Sequence, residues 1–464
     1  MTGVQTCALP ISPSLTQLDR SGELLISTVD PASVYGTVLQ QWLGTEPAGI
    51  LGASYPALQL FAASAGAAIP PPPQGPSPGG ELLAITPLRR LDTRLGMGSS
   101  KAPLAAGQTL EVLVAGAGDV PPTGVTAVIL NVTAVRPTRV GYLTVWPTGE
   151  PLPLASNLNF VPGQIVPNLV ICKVGTGGKV SIYNAAGSVE VVADVVGYVR
   201  DGVGQAVTPT LPARLVDTRV GGGAPLAPGA SMDVAVVSAM IPSGGATAAV
   251  LNVTVVAPTA AGFLTVWPTG DPKPWASNLN FAPGVTVPNL VVAKLGTAGA
   301  GKNDRVSVFN SAGNSHVIVD LLGFVAPSSA VATPSAASPG QFVALTPKRV
   351  LDTRAAGGGG PLGAKEERTL NLSGQGGLPA ATAMRGVVVN VTVTAPTSVG
   401  YLTVWPADQA RPTASNLNFL AEQTVPNLVL CATSPDSTTG GRIKLFNFAG
   451  LTHVVVDVVG YIAR

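Results

Sequence analysis

Short runs of apolar residues recur along the chain from about residue 81 onwards. Valine, isoleucine, leucine and threonine dominate these runs, and clusters of proline, threonine and glycine interrupt them about every 8 to 12 residues. In the first part of this region the pattern predicts strands near 88–93, 109–114, 127–135, 142–146, 156–160, 169–174, 179–183 and 189–199. Because no helical period occurs there, the pattern indicates an antiparallel sandwich or jelly roll.

One set of motifs occurs three times in the chain. Each copy begins with Asp-Thr-Arg, continues through Asn-Val-Thr, Thr-Val-Trp-Pro and Ser-Asn-Leu-Asn-Phe, and ends with an aspartate, two apolar residues, a glycine and an aromatic residue. The first motif recurs after 125 residues and again after 135 residues. Copies of this length are domains rather than solenoid repeats. We therefore expect an all-β chain of three tandem antiparallel β-sandwich (jelly-roll-like) domains, at 81–201 (repeat 1), 206–326 (repeat 2) and 342–464 (repeat 3).

The residues outside the repeats have a different character. Two stretches rich in proline, alanine, glycine or serine, 65–80 and 327–341, predict linkers. Asp30, Pro31 and Gly44 suit the N-cap, the first turn and the end of one amphipathic helix. Since 1–64 is too short to bury that helix, we expect a short helical remnant of a lost upstream domain. Residues 1–12 are similar to translated sequencing-adapter sequence, and we expect them to be an artefact.

Composition excludes several classes of function. Charged residues make up 11% of the chain and the formal net charge is +2, so no basic surface for nucleic acid is expected. No apolar run is long enough for a transmembrane helix. With 2 histidines, 3 cysteines and no Cys-x-x-Cys motif, we expect no metal site and no cofactor. The two cysteines inside the repeats are expected to be small buried apolar residues.

Charged residues recur at fixed places in a chain that has few of them. An unpaired carboxylate in the apolar final strand of a repeat would be very unfavourable. We therefore expect the late aspartate of each repeat to be buried and to pair bidentately with the arginine of its Asp-Thr-Arg motif. A site for a cation or a sugar is the alternative. The structural charge network comprises Asp92, Arg94 and Asp194; Asp217, Arg219 and Asp320; and Asp352, Arg354 and Asp457.

Aromatic residues of the Thr-Val-Trp-Pro strands are the candidate binding residues. Strand alternation places the first aromatic residue, the threonine and the tryptophan on one face. Packing in a core or between domains is one interpretation of this face, and contact with a sugar or a partner is the other. The candidates are Tyr142, Trp146, Phe263, Trp267, Tyr401 and Trp405.

Two resemblances place these motifs among bacterial proteins. The repeats resemble tandem LDTR/DVVGY β-repeats of secreted or surface proteins, which implies an extracellular accessory role. Residues 29–61 resemble the C-terminal tail of an exported family of unknown function related to the alkaline-phosphatase/sulfatase superfamily. None of the metal-binding or nucleophile motifs of that superfamily occurs in this segment, so no activity carries over to any residue.

Together these features predict a non-catalytic binding or display module that is extracellular or on the cell surface. Polysaccharide, cell wall or another surface protein is the expected partner. One alternative is the substrate-targeting portion of an exported hydrolase whose catalytic domain is missing, and another is a purely structural spacer. No nucleophile, base and orienting group occur together in a repeat, so we expect no enzymatic activity from these residues.

Overall fold

A computed structural model describes residues 79–202, 205–236, 241, 245–297, 303–327, 339–434 and 440–464. The predicted helix at 30–44 and most of both predicted linkers lie outside these residues. Gly75–Arg464 forms one compact unit, so the three repeats pack together. Among the described residues there is no α-helix, and the only helical turns are short 3-10 turns at Thr176–Gly178 and Ala381–Ala383.

Each repeat contains eight strands, as predicted. Repeat 1 contains β1 (Glu81–Asp92), β2 (Thr109–Leu113), β3 (Val125–Val135), β4 (Gly141–Pro147), β5 (Leu158–Phe160), β6 (Ile165–Lys173), β7 (Lys179–Asn184) and β8 (Glu190–Arg200). Repeat 2 contains β9 (Gln205–Asp217), β10 (Ser231–Ala235), β11 (Ala248–Val256), β12 (Gly262–Pro268), β13 (Leu279–Phe281), β14 (Val287–Lys294), β15 (Arg305–Asn310) and β16 (His316–Pro327). Repeat 3 contains β17 (Phe342–Asp352), β18 (Glu367–Asn371), β19 (Met384–Thr394), β20 (Gly400–Pro406), β21 (Leu417–Phe419), β22 (Val425–Ala432), β23 (Arg442–Asn447) and β24 (His453–Ala463).

The strands form six four-stranded antiparallel sheets, two from each repeat. In repeat 1 the strand orders are β1-β8-β3-β6, here called the inner sheet, and β2-β7-β4-β5, the outer sheet. Repeats 2 and 3 have the same two orders. The predicted all-β class with antiparallel sheets is confirmed. Six four-stranded sheets are also the number and size of the blades of a six-bladed propeller, so the sheets alone do not establish three separate sandwich domains.

The central strands of the inner sheets are buried on both faces. In β3, Val128 and Leu130 belong to an apolar cluster with Val145 of the outer sheet. The alternate residue Ile129 belongs to a second cluster, which includes Val250 of repeat 2 and residues of repeat 3. Strand alternation therefore directs one set of side chains into the repeat and the other set between the repeats. This double burial explains why β3 lacks the polar alternation of a half-exposed strand.

The glycine in the last motif of each repeat allows two strands to approach closely. A Cβ atom on Gly197 would lie 2.6 Å from the carbonyl oxygen of Leu83 in β1. At the same place in repeats 2 and 3, a Cβ on Gly323 would lie 2.9 Å from Thr208 O, and one on Gly460 would lie 2.6 Å from Val343 O. These glycines are required by close approach of the neighbouring backbone, where the pairing register shifts.

Buried asparagines connect the three repeats in a closed ring. In each repeat one asparagine donates from its side-chain amide to the side-chain oxygen of an asparagine in another repeat. The pairs are Asn168 to Asn390 at 2.9 Å, Asn289 to Asn131 at 2.9 Å, and Asn427 to Asn252 at 3.0 Å. All six side chains are almost fully buried. Each repeat therefore uses one surface to contact the repeat on one side and a different surface to contact the other. Such a heterologous interface closes here after three copies.

Candidate functional site

A row of three polar side chains crosses the inner sheet of every repeat. In repeat 1, strand pairing places Arg89 of β1 and Asn131 of β3 directly opposite Asp194 of the intervening strand β8. Directly opposed residues project from the same face of a sheet. The equivalent rows are Arg214, Asp320 and Asn252 in repeat 2, and Arg349, Asp457 and Asn390 in repeat 3.

The buried aspartate pairs with a different arginine from the one we predicted. Arg89 donates to both oxygens of Asp194, with Nε–Oδ1 at 2.6 Å and Nη2–Oδ2 at 3.2 Å. Arg94, the predicted partner, instead binds Asp92, with Nε–Oδ1 at 2.8 Å and Nη2–Oδ2 at 2.6 Å. The reason is position, because Arg94 lies beyond the end of β1 whereas Arg89 is in register with the aspartate.

Repeats 2 and 3 require the same correction. Asp320 pairs with Arg214 and not with Arg219, which binds Asp217. The corresponding pairs in repeat 3 are Asp457 with Arg349, and Asp352 with Arg354. All nine predicted network residues therefore belong to charge clusters, but the arginine that completes each cluster had been missed.

The two aspartates of a cluster have opposite pKa shifts. Burial raises the pKa of Asp194 above its ordinary value, even though Arg89 opposes this effect. Burial would also raise the pKa of Asp92, but hydrogen bonds from Arg94 and the charges of Arg94 and Arg89 outweigh it, so this pKa is lowered. Two carboxylates and two guanidinium groups satisfy one another in this cluster. The arrangement therefore positions charge without supplying a free general base.

The threonine of each Asp-Thr-Arg motif contacts a side chain that could otherwise act as a base. This side chain is a glutamate in repeat 1 and a histidine in repeats 2 and 3. Thr93 hydrogen-bonds Glu190, and Thr218 lies 3.0 Å from Nδ1 of His316. Thr353 lies 3.0 Å from Nδ1 of His453 in the same way. Each threonine hydroxyl also accepts a backbone N–H of the last strand. These contacts connect the start of each repeat to its last strand.

A loop from the neighbouring repeat covers each row. Arg89 Nη2 donates to the carbonyl oxygen of Trp275 at 3.3 Å, and Asn131 Nδ2 donates to that of Ser277 at 2.6 Å. In the other two junctions Asn252 and Asn390 donate to the equivalent serines of repeats 3 and 1, at 2.8 Å in both cases. The charge clusters therefore lie at the junctions between repeats.

Trp275 presents its side chain to solvent beside the first of these clusters. The residue is 96% exposed, although its carbonyl oxygen accepts the bond from Arg89. Leu154, which is 82% exposed, stands at the same position of repeat 1, two residues before the serine of the loop, and Thr413 stands there in repeat 3. This position varies among the repeats and therefore belongs to none of the motifs that they share.

The three candidate tryptophans are not available for stacking, which corrects that part of the prediction. Trp146, Trp267 and Trp405 are buried. Their indole Nε1 atoms donate to the carbonyl oxygens of Glu150 at 2.9 Å, Asp271 at 3.0 Å and Gln409 at 3.0 Å. The loop after each strand therefore folds over the ring and satisfies its only donor.

The other three candidates keep part of their rings on the surface. Tyr142 is 39% exposed, whereas Phe263 and Tyr401 are half-buried. Each contacts a second ring on the neighbouring strand of the outer sheet, with centroids 6.4 Å apart for Tyr142 and 6.2 Å apart for the other two. This packing stabilises the outer sheet and leaves a small aromatic surface in each repeat.

The described part of the chain contains two cysteines and no cluster of metal-ligating side chains. No group of three or more histidine, cysteine, aspartate or glutamate side chains is placed there to hold a metal ion. Cys172 and Cys431 are free and buried, and burial raises the pKa of both thiols. None of the described residues forms a helix long and apolar enough to cross a membrane.

Comparisons with known proteins find only remote likeness. No protein-family model matches the chain, and no curated protein matches it. A solved chain described under "The Triple Jelly Roll Fold and Turret Assembly in an Archaeal Virus" is 10% identical, covers 84% of this chain and 98% of its own, and has a TM-score of 0.16. A chain of Sulfolobus Turreted Icosahedral Virus is 9% identical, with coverages of 82% and 99% and a TM-score of 0.16. Scores this low carry no argument about fold or function.

Proposed function

We propose that the repeats form a non-catalytic binding module of an extracellular or cell-surface protein, and that the ligand is a polysaccharide or the cell wall. The observation that carries the proposal is the 96% exposed side chain of Trp275 at the junction of repeats 1 and 2. Removal of a large aromatic ring from water by a bound ligand lowers the free energy of the complex. Tryptophan is enriched at binding interfaces because its ring is apolar while its indole N–H can donate a hydrogen bond.

The surroundings of Trp275 suit a ligand that has both an apolar face and hydroxyl groups. The backbone carbonyl of this residue is held by Arg89, which is itself fixed by Asp194. Arg94, whose side chain is 44% exposed, belongs to the same cluster and has donors close to solvent. These bonds hold the loop in place before the ligand binds, so less conformational entropy is lost on binding.

Retention of the full chain on insoluble glycans and on peptidoglycan tests the proposal. We expect Trp275→Ala to lower the affinity about tenfold, because the ring supplies most of the apolar contact. Leu154→Ala is the matched control, since it removes an exposed apolar side chain at the same position of repeat 1 and should leave retention unchanged. Equal retention of both variants and the parent would contradict a role for Trp275.

The alternatives give different results in the same experiments. A spacer would show negligible retention on every glycan, with no difference between parent and variants. A targeting module of a hydrolase would bind the substrate of that enzyme and still hydrolyse nothing itself. Hydrolysis of an ester or a glycoside by this chain would refute the non-catalytic proposal.

We also propose that the two sheets of each repeat face each other as one jelly roll. The strand order supports this, because eight strands alternate between the sheets in the pattern of two Greek keys. A propeller blade is instead built from consecutive strands. The apolar cluster that combines Val128 of the inner sheet with Val145 of the outer sheet supports the same proposal. An experimental structure in which these two residues lie in separate cores would contradict it.

A further inference from the structure

A pocket of about 580 Å³ lies at the junction of repeats 2 and 3. Pro209 and Leu211 of β9 form one side, and Arg385, Asp408 and Arg464 are among the residues of the other. Repeat 3 approaches closely here, since a Cβ on Gly386 would lie 2.5 Å from the ring of Pro209. The walls are therefore held by direct packing between the repeats.

The equivalent junction of repeats 3 and 1 is closed by polar side chains. Thr346 donates to Glu150 at 2.5 Å, and Glu150 forms an ion pair of 3.0 Å with Lys173. Counting from the shared motifs, the same three positions at the pocket hold Leu211, Gln409 and Ala432. The junction of repeats 2 and 3 therefore lacks the glutamate, the lysine and the threonine that fill the junction of repeats 3 and 1.

Two arginines occur at this junction and not at the equivalent positions of the other repeats. Arg385 stands where repeats 1 and 2 have Thr126 and Thr247, and Arg464 follows the last strand of repeat 3 directly. Arg385 donates to Thr208 Oγ1 at 3.3 Å. Arg464 donates to the carbonyl oxygens of Met384 at 3.2 Å and Thr433 at 3.1 Å.

Neither guanidinium group forms an ion pair with a carboxylate in the described part of the chain. The ion pairs between arginine and carboxylate that occur there involve other arginines. Burial lowers the pKa of Arg385, and the positive charge of Arg464 lowers it further. Two like charges that interact within one pocket are unfavourable, and an anion bound between them would relieve the repulsion. Several of their N–H donors also have no acceptor among the residues that the structure describes.

We propose that this pocket binds the carboxylate or phosphate group of a hydroxylated ligand between Arg385 and Arg464. Guanidinium groups recognise such oxyanions through paired N–H donors. Asp408 and Gln409, which also line the pocket, have oxygen atoms that can accept from hydroxyl groups of the same ligand. This site is separate from Trp275 and does not rest on the function proposed for that residue.

Calorimetric titration of the full chain with glucuronate, glucose 6-phosphate and glucose tests the proposal. We expect one or both anions to bind and neutral glucose to bind at least about tenfold more weakly, because only the anions engage the arginines. Arg385→Gln and Arg464→Gln should each weaken anion binding at least about tenfold. Arg139→Gln removes the same charge from an exposed position of repeat 1 and should leave binding unchanged.

The outcomes separate the sources of the anion and test the site itself. Binding of glucuronate alone assigns a carboxylate ligand, and binding of glucose 6-phosphate alone assigns a phosphate ligand. Binding of neither anion, or equal affinity in the parent and both pocket variants, would overturn the proposal. Thermal melts without ligand check that both variants are folded.

Discussion

Arg89 and Asp194 face each other across β1 and β8, and two N–H···O bonds of 2.6 and 3.2 Å join the guanidinium to the carboxylate. Arg89 also reaches Asp92 at 3.0 Å, so one arginine serves both acids of the cluster. Asp194 is 1% exposed and is covered by the neighbouring repeat, whereas Arg94 is 44% exposed at the rim. The same cluster therefore combines a deeply buried pair with a pair that solvent screens.

Removal of the buried acid should destabilise the protein far more than removal of the rim arginine. In repeat 2 we expect Asp320→Ala to lower the free energy of unfolding by about 3 kcal/mol, because Arg214 loses the buried carboxylate that accepts two of its hydrogen bonds and keeps only Asp217. Arg219→Ala should lower it by less than about 1 kcal/mol, since that side chain is 43% exposed. Guanidinium denaturation of both variants measures the difference. Equal losses would mean that the two pairs contribute alike.

The rim aspartate of repeat 3 should stabilise the protein in a pH-dependent way. A hydrogen bond from Arg354 lowers the pKa of Asp352 from 3.8 to about 2. Because the folded state holds the proton less tightly, the contribution is fully present above pH 3.8 and is lost as the pH falls through about 2. Asp352→Asn should therefore cost about 1 kcal/mol at pH 7, a small value because Arg354 is half exposed, and nothing near pH 1. Denaturation curves of variant and parent across this range should converge on acidification. A constant gap would argue against the ionised carboxylate.

The three asparagines whose side-chain oxygens accept in the ring, Asn131, Asn252 and Asn390, should contribute about equally to stability. Asn390→Ala removes a donor to Ser156 O and the acceptor for Asn168 Nδ2, and we expect a loss of about 2 kcal/mol. Asn131→Ala and Asn252→Ala should give similar losses because their contacts are equivalent. Asn314→Ala, at an exposed loop position of repeat 2, is the control and should cost less than about 0.5 kcal/mol. A large loss at only one ring position would show that the junctions differ in strength.

Local signals made the strands predictable. Runs of valine, isoleucine and threonine between turn clusters carry the information for a strand within a few residues, so eight strands per repeat could be identified. The buried acid could also be identified, because an aspartate within an apolar strand must find a partner. Each of these inferences needed only neighbouring residues or the comparison of one repeat with another.

Pairings between distant strands could not be predicted in this way. The choice of Arg89 over Arg94 depends on the register of β1 against β8, which the motif spacing does not contain. Burial of Trp146 depends on how the following loop folds over its ring. Trp275 could not be predicted for a different reason, because it occurs in one copy only and breaks the pattern that the three repeats share.

The variation at the Trp275 position allows a test by gain of function. Leu154 and Thr413 occupy the equivalent loops of repeats 1 and 3, two residues before the serines whose carbonyl oxygens accept from Asn390 and Asn252 of the neighbouring repeats. If the tryptophan and its cluster suffice for binding, Leu154→Trp should add a second site and the pair Leu154→Trp with Thr413→Trp a third. Linked sites on one polymer strengthen binding through avidity, so we expect retention on the glycan to rise by about 10-fold or more. Binding isotherms on the same insoluble glycan measure this gain, and Val140→Trp, at an exposed loop outside the junctions, controls for added hydrophobicity. An equal gain from the control would show that any exposed tryptophan is enough and that the junction has no special role.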